Sequence, residues 1–247
     1  MEYFRGFSVF FDDPDCVRNL LLASLLLFSS SFIPFVGQMI VIGWAGFIVR
    51  EAVRGRLQPV PRLDFDVDLL LRQLELGFKM MVVRFAWSVV LFFPLIVVWV
   101  VGLIAAGAFS SGGSAGGGFV LLALLCGGLL TVAWCLVGGV FIWLAALRTA
   151  ITGKLGDGFA VGVVLAMCRT LFGEAVLAAI VLAFAGIVLT ALGVLLLFIG
   201  VFPATALVMV LQAHVGAQLY ERWLDQGGDP LPIEPLPEQA LQRAVSP

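Results

Sequence analysis

FAWSVVLFFPLIVVWVVGLIAAGAFSSGGSAGGGFVLLALLCGGLLTVAWCLVGGVFIWLAAL, residues 85–147, runs for 63 residues without an Asp, Glu, Lys or Arg. About 20 apolar residues carry a helix across a bilayer core. The stretch therefore holds two crossings, and SSGGSAGGG at 110–118 reads as a flexible, uncharged connector between them. Two further stretches, 19–49 and 175–220, also lack these charges and are 31 and 46 residues long. The whole chain of 247 residues is 62% hydrophobic and 12% charged, with a mean hydropathy of +1.11. A soluble domain is roughly half apolar and about a quarter charged, so a lipid bilayer is the solvent this composition requires. Net charge is −2, with no basic excess to attract nucleic acid.

The expected fold is all-α: a polytopic transmembrane bundle of about six membrane segments in three hairpins, with interfacial amphipathic helices. Residues 1–19 form an interfacial arm, 20–222 the membrane domain and 223–247 a polar, Pro-rich tail that is extended or disordered. The arm carries Phe4, Phe7, Phe10 and Phe11 at helical spacing. It does not read as a cleaved signal peptide, because acidic Asp12, Asp13 and Asp15 precede the first apolar run. Residues 20–48 are broken by Ile33-Pro34-Phe35-Val36-Gly37. Since proline removes an amide donor, they form either one kinked crossing or two shorter helices folded back on each other. Residues 66–78 place Leu70, Leu71, Leu74 and Phe78 opposite Arg72, Gln73 and Glu75, the pattern of a helix lying on the membrane surface. Asp64 and Asp66 suit its N-cap. A kink is expected at Pro94.

Ten of the fourteen Lys and Arg fall in segments 50–84 and 148–169, and none in the glycine connector. By the positive-inside rule those segments face the cytoplasm. Arg222 and Arg243 put the C-terminus on that side, which makes 175–220 a hairpin. Folding 20–48 back likewise puts Arg5 and Arg18 inside, and this favours the hairpin. Trp87, Trp143 and Trp223 fall near the cytoplasmic boundaries, as anchors do.

No catalytic constellation assembles. The glycine connector lacks the lysine of a phosphate loop. Gly153-Lys154-Leu155-Gly156-Asp157-Gly158 also fails the phosphate-loop spacing, and as the G-x-G-D of an intramembrane aspartyl protease it has Lys154 in place of the first glycine and no second membrane-embedded aspartate. Asp64, Asp66, Asp68 and Glu75 match four calcium-loop positions, but Leu69 stands where the sharp turn needs glycine, and helix capping accounts for them. Cys16, Cys126, Cys135 and Cys168 are scattered and read as buried apolar thiols. His214, the only histidine, falls deep in a predicted span with Gln212, Gln218 and Tyr220 nearby, and reads as hydrogen-bonded between helices. Arg169 and Glu174 read as an interfacial ion pair. Ala123, Gly127, Thr131, Cys135 and Gly139 recur every four residues, a small-residue stripe that lets helices approach closely in lipid. It serves packing within the bundle or between subunits.

Several landmarks recur in order: Phe11-Asp12-Asp13-Pro14, then Ile33 to Gly37, then Arg54-Gly55-Arg56-Leu57-Gln58-Pro59-Val60-Pro61. Last come Pro203 and His214-Val215-Gly216-Ala217-Gln218-Leu219-Tyr220. This order resembles a family of prokaryotic multi-pass membrane proteins of unknown function, DUF4013. Here Cys16 stands where the family often has an aromatic, and Gln38 where a tyrosine is common. The resemblance implies the membrane architecture and the cytoplasmic turn at Pro59 and Pro61. It implies no activity.

Two functions from different classes follow. The first is a non-enzymatic assembly or scaffold component of a prokaryotic cytoplasmic membrane, without cofactor, metal or nucleic-acid partner, working with the bilayer and with other membrane proteins or itself. The second is a transporter or channel subunit whose site lies at the proline-broken helices, since paired breaks can mark a midplane site. Pro34, Gly37, Pro59, Pro61, Pro203, His214 and Gln218 are its candidate positions.

Overall fold

The computed structural model describes residues 1–109, 114–196, 199–237 and 240. Among the described residues seven α-helices follow one another: α1 (Arg5–Phe11), α2 (Cys16–Ser29), α3 (Val36–Val53), α4 (Val67–Phe109), α5 (Ser114–Thr152), α6 (Val161–Leu195) and α7 (Val201–Asp225). A short 3-10 turn, Leu155–Phe159, joins α5 to α6. There is no strand among the described residues. Five helices, α3 to α7, are long and apolar enough to cross a membrane, and α2 is a shorter apolar helix. The chain is an all-α membrane protein.

Proline and glycine set the first break. α2 ends at Ser29 and α3 starts at Val36, with Pro34 in the turn between them. Phe35 takes a left-handed conformation at φ 70° to turn the chain. A Cβ on Gly37 would overlap the Leu26 carbonyl, so only glycine lets α3 leave so close to α2. The far ends of the two helices meet again. The Asp13 carboxylate, just before α2, accepts a hydrogen bond from Val60 N–H (2.8 Å), beyond the end of α3. Asn19 Oδ1 accepts another from Leu63 N–H at 3.1 Å. Residues 20–48 are therefore two helices folded back on each other.

Residues 66–78 do not form a separate surface helix. They are the first turns of α4, because no breaker separates them from the apolar run that follows, and α4 continues unbroken through Pro94. Their buried face, Leu69, Gln73 and Leu76, lies against α3. Here the backbones touch: a Cβ on Gly43 of α3 would overlap the Gln73 carbonyl, and one on Gly77 of α4 the Met39 carbonyl. In lipid, where apolar burial does not drive helices together, such close packing does. Asp66 caps α4, its Oδ1 accepting from Asp68 N–H (2.9 Å) and Leu69 N–H (3.1 Å).

The densest core lies at one end, where Phe10, Trp44, Phe47, Leu63, Leu144 and Tyr220 are fully buried. The outer halves of α4 and α5 leave it as a two-helix arm. Leu103, Ile104, Leu121, Leu129 and Leu130 on this arm are more than half exposed. Of the expected connector 110–118, residues 110–113 lie outside the described residues, and α5 already begins at Ser114.

The charged segments gather at the core end. Arg18 pairs with Asp64 (2.9 Å), which also pairs with Arg62. The tail folds back onto this surface. Leu231 N–H donates to the Tyr220 hydroxyl (2.7 Å) and Glu234 N–H to the Ile151 carbonyl (3.1 Å). The Glu234 carboxylate meets buried Arg50 at 2.7 Å, and Leu236 and Ala240 are buried. Residues 238, 239 and 241–247, Arg243 among them, lie outside the described residues.

Candidate functional site

The sequence-derived positions separate into three places. Pro34 lies in the α2–α3 turn and Pro203 in the first turn of α7, where a missing N–H breaks no helical bond. The two turns are neighbours at the end of the bundle away from the charges, with Phe28 edge-on to Phe202 at 5.3 Å between centroids. Both breaks are thus reversals of the chain between helices. Pro59 and Pro61 sit at the charged end, where the Pro61 carbonyl accepts from buried Trp44 Nε1 at 2.7 Å.

His214 and Gln218 share α7 but face α1 and the N-terminus. Gln218 grips the backbone of Glu2 twice, its Oε1 accepting from Glu2 N–H (2.8 Å) and its Nε2 donating to the Glu2 carbonyl (3.0 Å). His214 is buried under Gly6, whose missing Cβ leaves room for the imidazole. The expected interhelical hydrogen bond is not made at Nε2, which has no partner among the described residues, because α1 covers the ring with backbone and apolar surface. Nor do Arg169 and Glu174 form the expected pair: among the described residues neither makes an ion pair.

Two residues of the α5 stripe pack inside its own hairpin. Gly127 faces the Trp99 ring of α4, and Thr131 Oγ1 accepts from Trp99 Nε1 at 2.7 Å. Cys135 and Gly139 are exposed, and Ala123 is described in its backbone alone. The cysteines also divide: Cys168 is buried as expected, Cys16 partly so, while Cys126 and Cys135 lie exposed on the apolar arm.

A cavity of about 460 Å³ opens among α4, α5, α6 and α7, and its polar lining comes from Arg84, Trp143 and Gln212. A smaller cavity adjoins it and shares the same three side chains. Trp143, read in sequence as a boundary anchor, instead walls these cavities. Arg84 makes no hydrogen bond or ion pair among the described residues, and the Trp143 Nε1 and the Gln212 amide likewise make none. The other walls are apolar, with Gly139, Ala179, Ala183 and Gly186 leaving the space between the larger Ile142, Leu182 and Val208. Sequence reasoning counted Arg84 with the cytoplasmic cations. The missed signal is its setting, Met80-Met81-Val82-Val83 before it and Phe85-Ala86-Trp87-Ser88 after it, which leaves it no charged neighbour within a turn of its own helix.

Electrostatics at the charged end differ. Burial opposes ionisation of Asp64, yet hydrogen bonds from Arg18 and the Phe65 N–H, with the charges of Arg62 and Arg18, hold its carboxyl below the usual range. Among the described residues no three His, Cys, Asp or Glu side chains are placed to hold a metal ion. The cavity, with donors and no carboxylate lining it, has the chemistry of an anion site.

The family described as "Protein of unknown function (DUF4013)" matches residues 26–211, from within α2 to within α7. No curated protein and no solved structure matches the chain.

Proposed function

The chain belongs to the DUF4013 family of proteins of unknown function, and we propose that it is a non-enzymatic, multi-pass assembly component of a prokaryotic cytoplasmic membrane. In this reading α2 joins α3 to α7 as a sixth membrane segment, the six pair as three hairpins, and the charged end faces the cytoplasm in accord with the positive-inside rule.

The observation that carries the reading is the α4–α5 arm. α2 and α3 have 14 and 18 residues, about 21 and 27 Å of helix at 1.5 Å per residue. α4 and α5 have 43 and 39 residues, about 64 and 58 Å. A bilayer core of about 30 Å cannot match both sets without tilt, local deformation or packing against another protein. The arm exposes apolar residues on its outward faces, as α2 and α6 do on theirs, and its extra length is where a second copy or another membrane protein would pack.

Cys126 and Cys135 are exposed on the arm nine positions apart, about half a turn in phase at 3.6 residues per turn, so they sample opposite sides of α5. A membrane-permeant bismaleimide applied to native membranes should give a cross-linked species. That species should vanish in the Cys126→Ser, Cys135→Ser double variant. A strict monomer in membranes and in mild detergent, with no protein co-purifying, overturns the proposal.

A further inference from the structure

We propose that the cavity among α4, α5, α6 and α7 binds an anionic amphiphile, with its charged headgroup on Arg84 and its chain along the small-residue wall of α5 and α6. The inference is independent of the assembly reading.

Three observations carry it. Arg84 lies five residues beyond Lys79, whose Nζ donates to the Gly153 carbonyl at 3.0 Å at the charged end; that is about 7.5 Å further along α4. It has no partner among the described residues, although an arginine within a span is costly and is ordinarily paired or functional. Second, Arg84, Trp143 and Gln212 line the same cavity, and all three present N–H donors. A planar guanidinium with further donors beside it suits a carboxylate or phosphate oxygen, and among the described residues no carboxylate lines the cavity to repel one. Third, Gly139 and Ala183 are both exposed, so the cavity opens sideways, where acyl chains lie. Its volume falls within the roughly 300–1,000 Å³ typical of small-molecule sites. Lateral access through an apolar wall selects an anion carried on a hydrocarbon chain over one dissolved in water.

Such an anion comes from two sources, a free fatty acid or an anionic phospholipid. The purified full-length chain in neutral detergent is titrated with palmitate, with phosphatidylglycerol and with phosphatidylcholine, binding being read by native mass spectrometry. Palmitate or phosphatidylglycerol should bind in preference to phosphatidylcholine, and whichever binds tighter identifies the source. Arg84→Gln should weaken binding about tenfold or more, the scale of a lost charge-assisted contact. Because Arg84→Gln could fail to fold, Gly139→Leu gives a second reading. Gly139 lines the cavity and a Cβ there meets nothing within 4 Å, so a leucine at this position should fill part of the space and block binding with Arg84 intact. Equal binding of all three amphiphiles, anionic binding unchanged in either folded variant, or acetate binding as tightly as palmitate would each overturn the site.

Discussion

Asp13 and Val60, 47 positions apart, are joined by a 2.8 Å hydrogen bond from the Val60 N–H to the Asp13 carboxylate. Asp13 is 3% exposed and also accepts from Asp15 N–H at 2.8 Å, so one side chain satisfies two backbone donors. The bond closes the α2–α3 pair at its open end, opposite Pro34. With Asn19 holding Leu63 N–H and Trp44 holding the Pro61 carbonyl, it seats residues 59–63 under the bundle. Backbone groups withdrawn from water need such partners.

This closure predicts that the chain before α2 and the turn after α3 lie on one side of the membrane. Cysteines at the exposed neighbours Asp12 and Gln58 should label from the same side with an impermeant maleimide. Labelling from opposite sides would contradict it. Asp13→Ala should destabilise the protein by about 1–3 kcal/mol, since it strands a buried N–H, and Asp13→Asn by less. Denaturation in detergent measures both.

Close packing of α3 on α4 depends on two glycines. Gly43→Val and Gly77→Val each force a side chain into the facing backbone, and both should lower the melting temperature strongly or prevent folding. Gly102, whose Cβ would meet nothing, is the control: Gly102→Ala should be neutral or slightly stabilising. Equal effects at all three positions would argue against backbone contact at the α3–α4 crossing.

The tail should resist protease while Glu234 holds it. Glu234 reaches Arg50 across Gly153, at φ 68°, where any Cβ would collide with the Glu234 carboxylate. Arg54 Nη2 also donates to the Glu234 carbonyl, at 3.0 Å. Glu234→Ala leaves a buried guanidinium with only its bond to the Ala150 carbonyl. Cleavage after residue 228 should then quicken several-fold, while Glu221→Ala, on an exposed helix face, leaves the rate unchanged.

Asp64 makes the charged end sensitive to acid. Its carboxyl sits lower in the folded protein than the unfolded value of about 3.9. Its contribution is therefore complete above that value and is lost as pH falls toward the folded one. Asp64→Asn and Arg18→Gln should both flatten the loss of stability below about pH 4. A melting-temperature profile against pH that is the same for wild type and both variants would refute the coupling.

Much of the fold was legible because lipid imposes a simple rule. Long charge-free runs at 85–147 and 175–220 must be helical and must cross or re-cross, since backbone groups have no water to bond. Proline at 34 marked a break, kink or reversal, and the cation distribution grouped the segments that meet at one end. Less legible was the helix at 66–78. Its amphipathic face suits a lipid surface and a protein partner equally, and periodicity does not distinguish the two. The α5 stripe is conspicuous by regular spacing, yet the backbone contact of α3 with α4 is at Gly43 and Gly77, two glycines on different helices. Spacing within one helix carries no information about which neighbour it meets.

The sequence by itself determined the all-α membrane architecture, the break at Pro34 and the grouping of charged segments, because each follows from local composition and the bilayer's demand for satisfied backbone. Only the tertiary structure decided that Asp13 holds Val60, that the tail docks through Glu234 on Arg50, and that Arg84, without a partner among the described residues, lies in a cavity beside Trp143 and Gln212. Those relations join residues on separate helices, and the shape of the space between helices is a property of their packing.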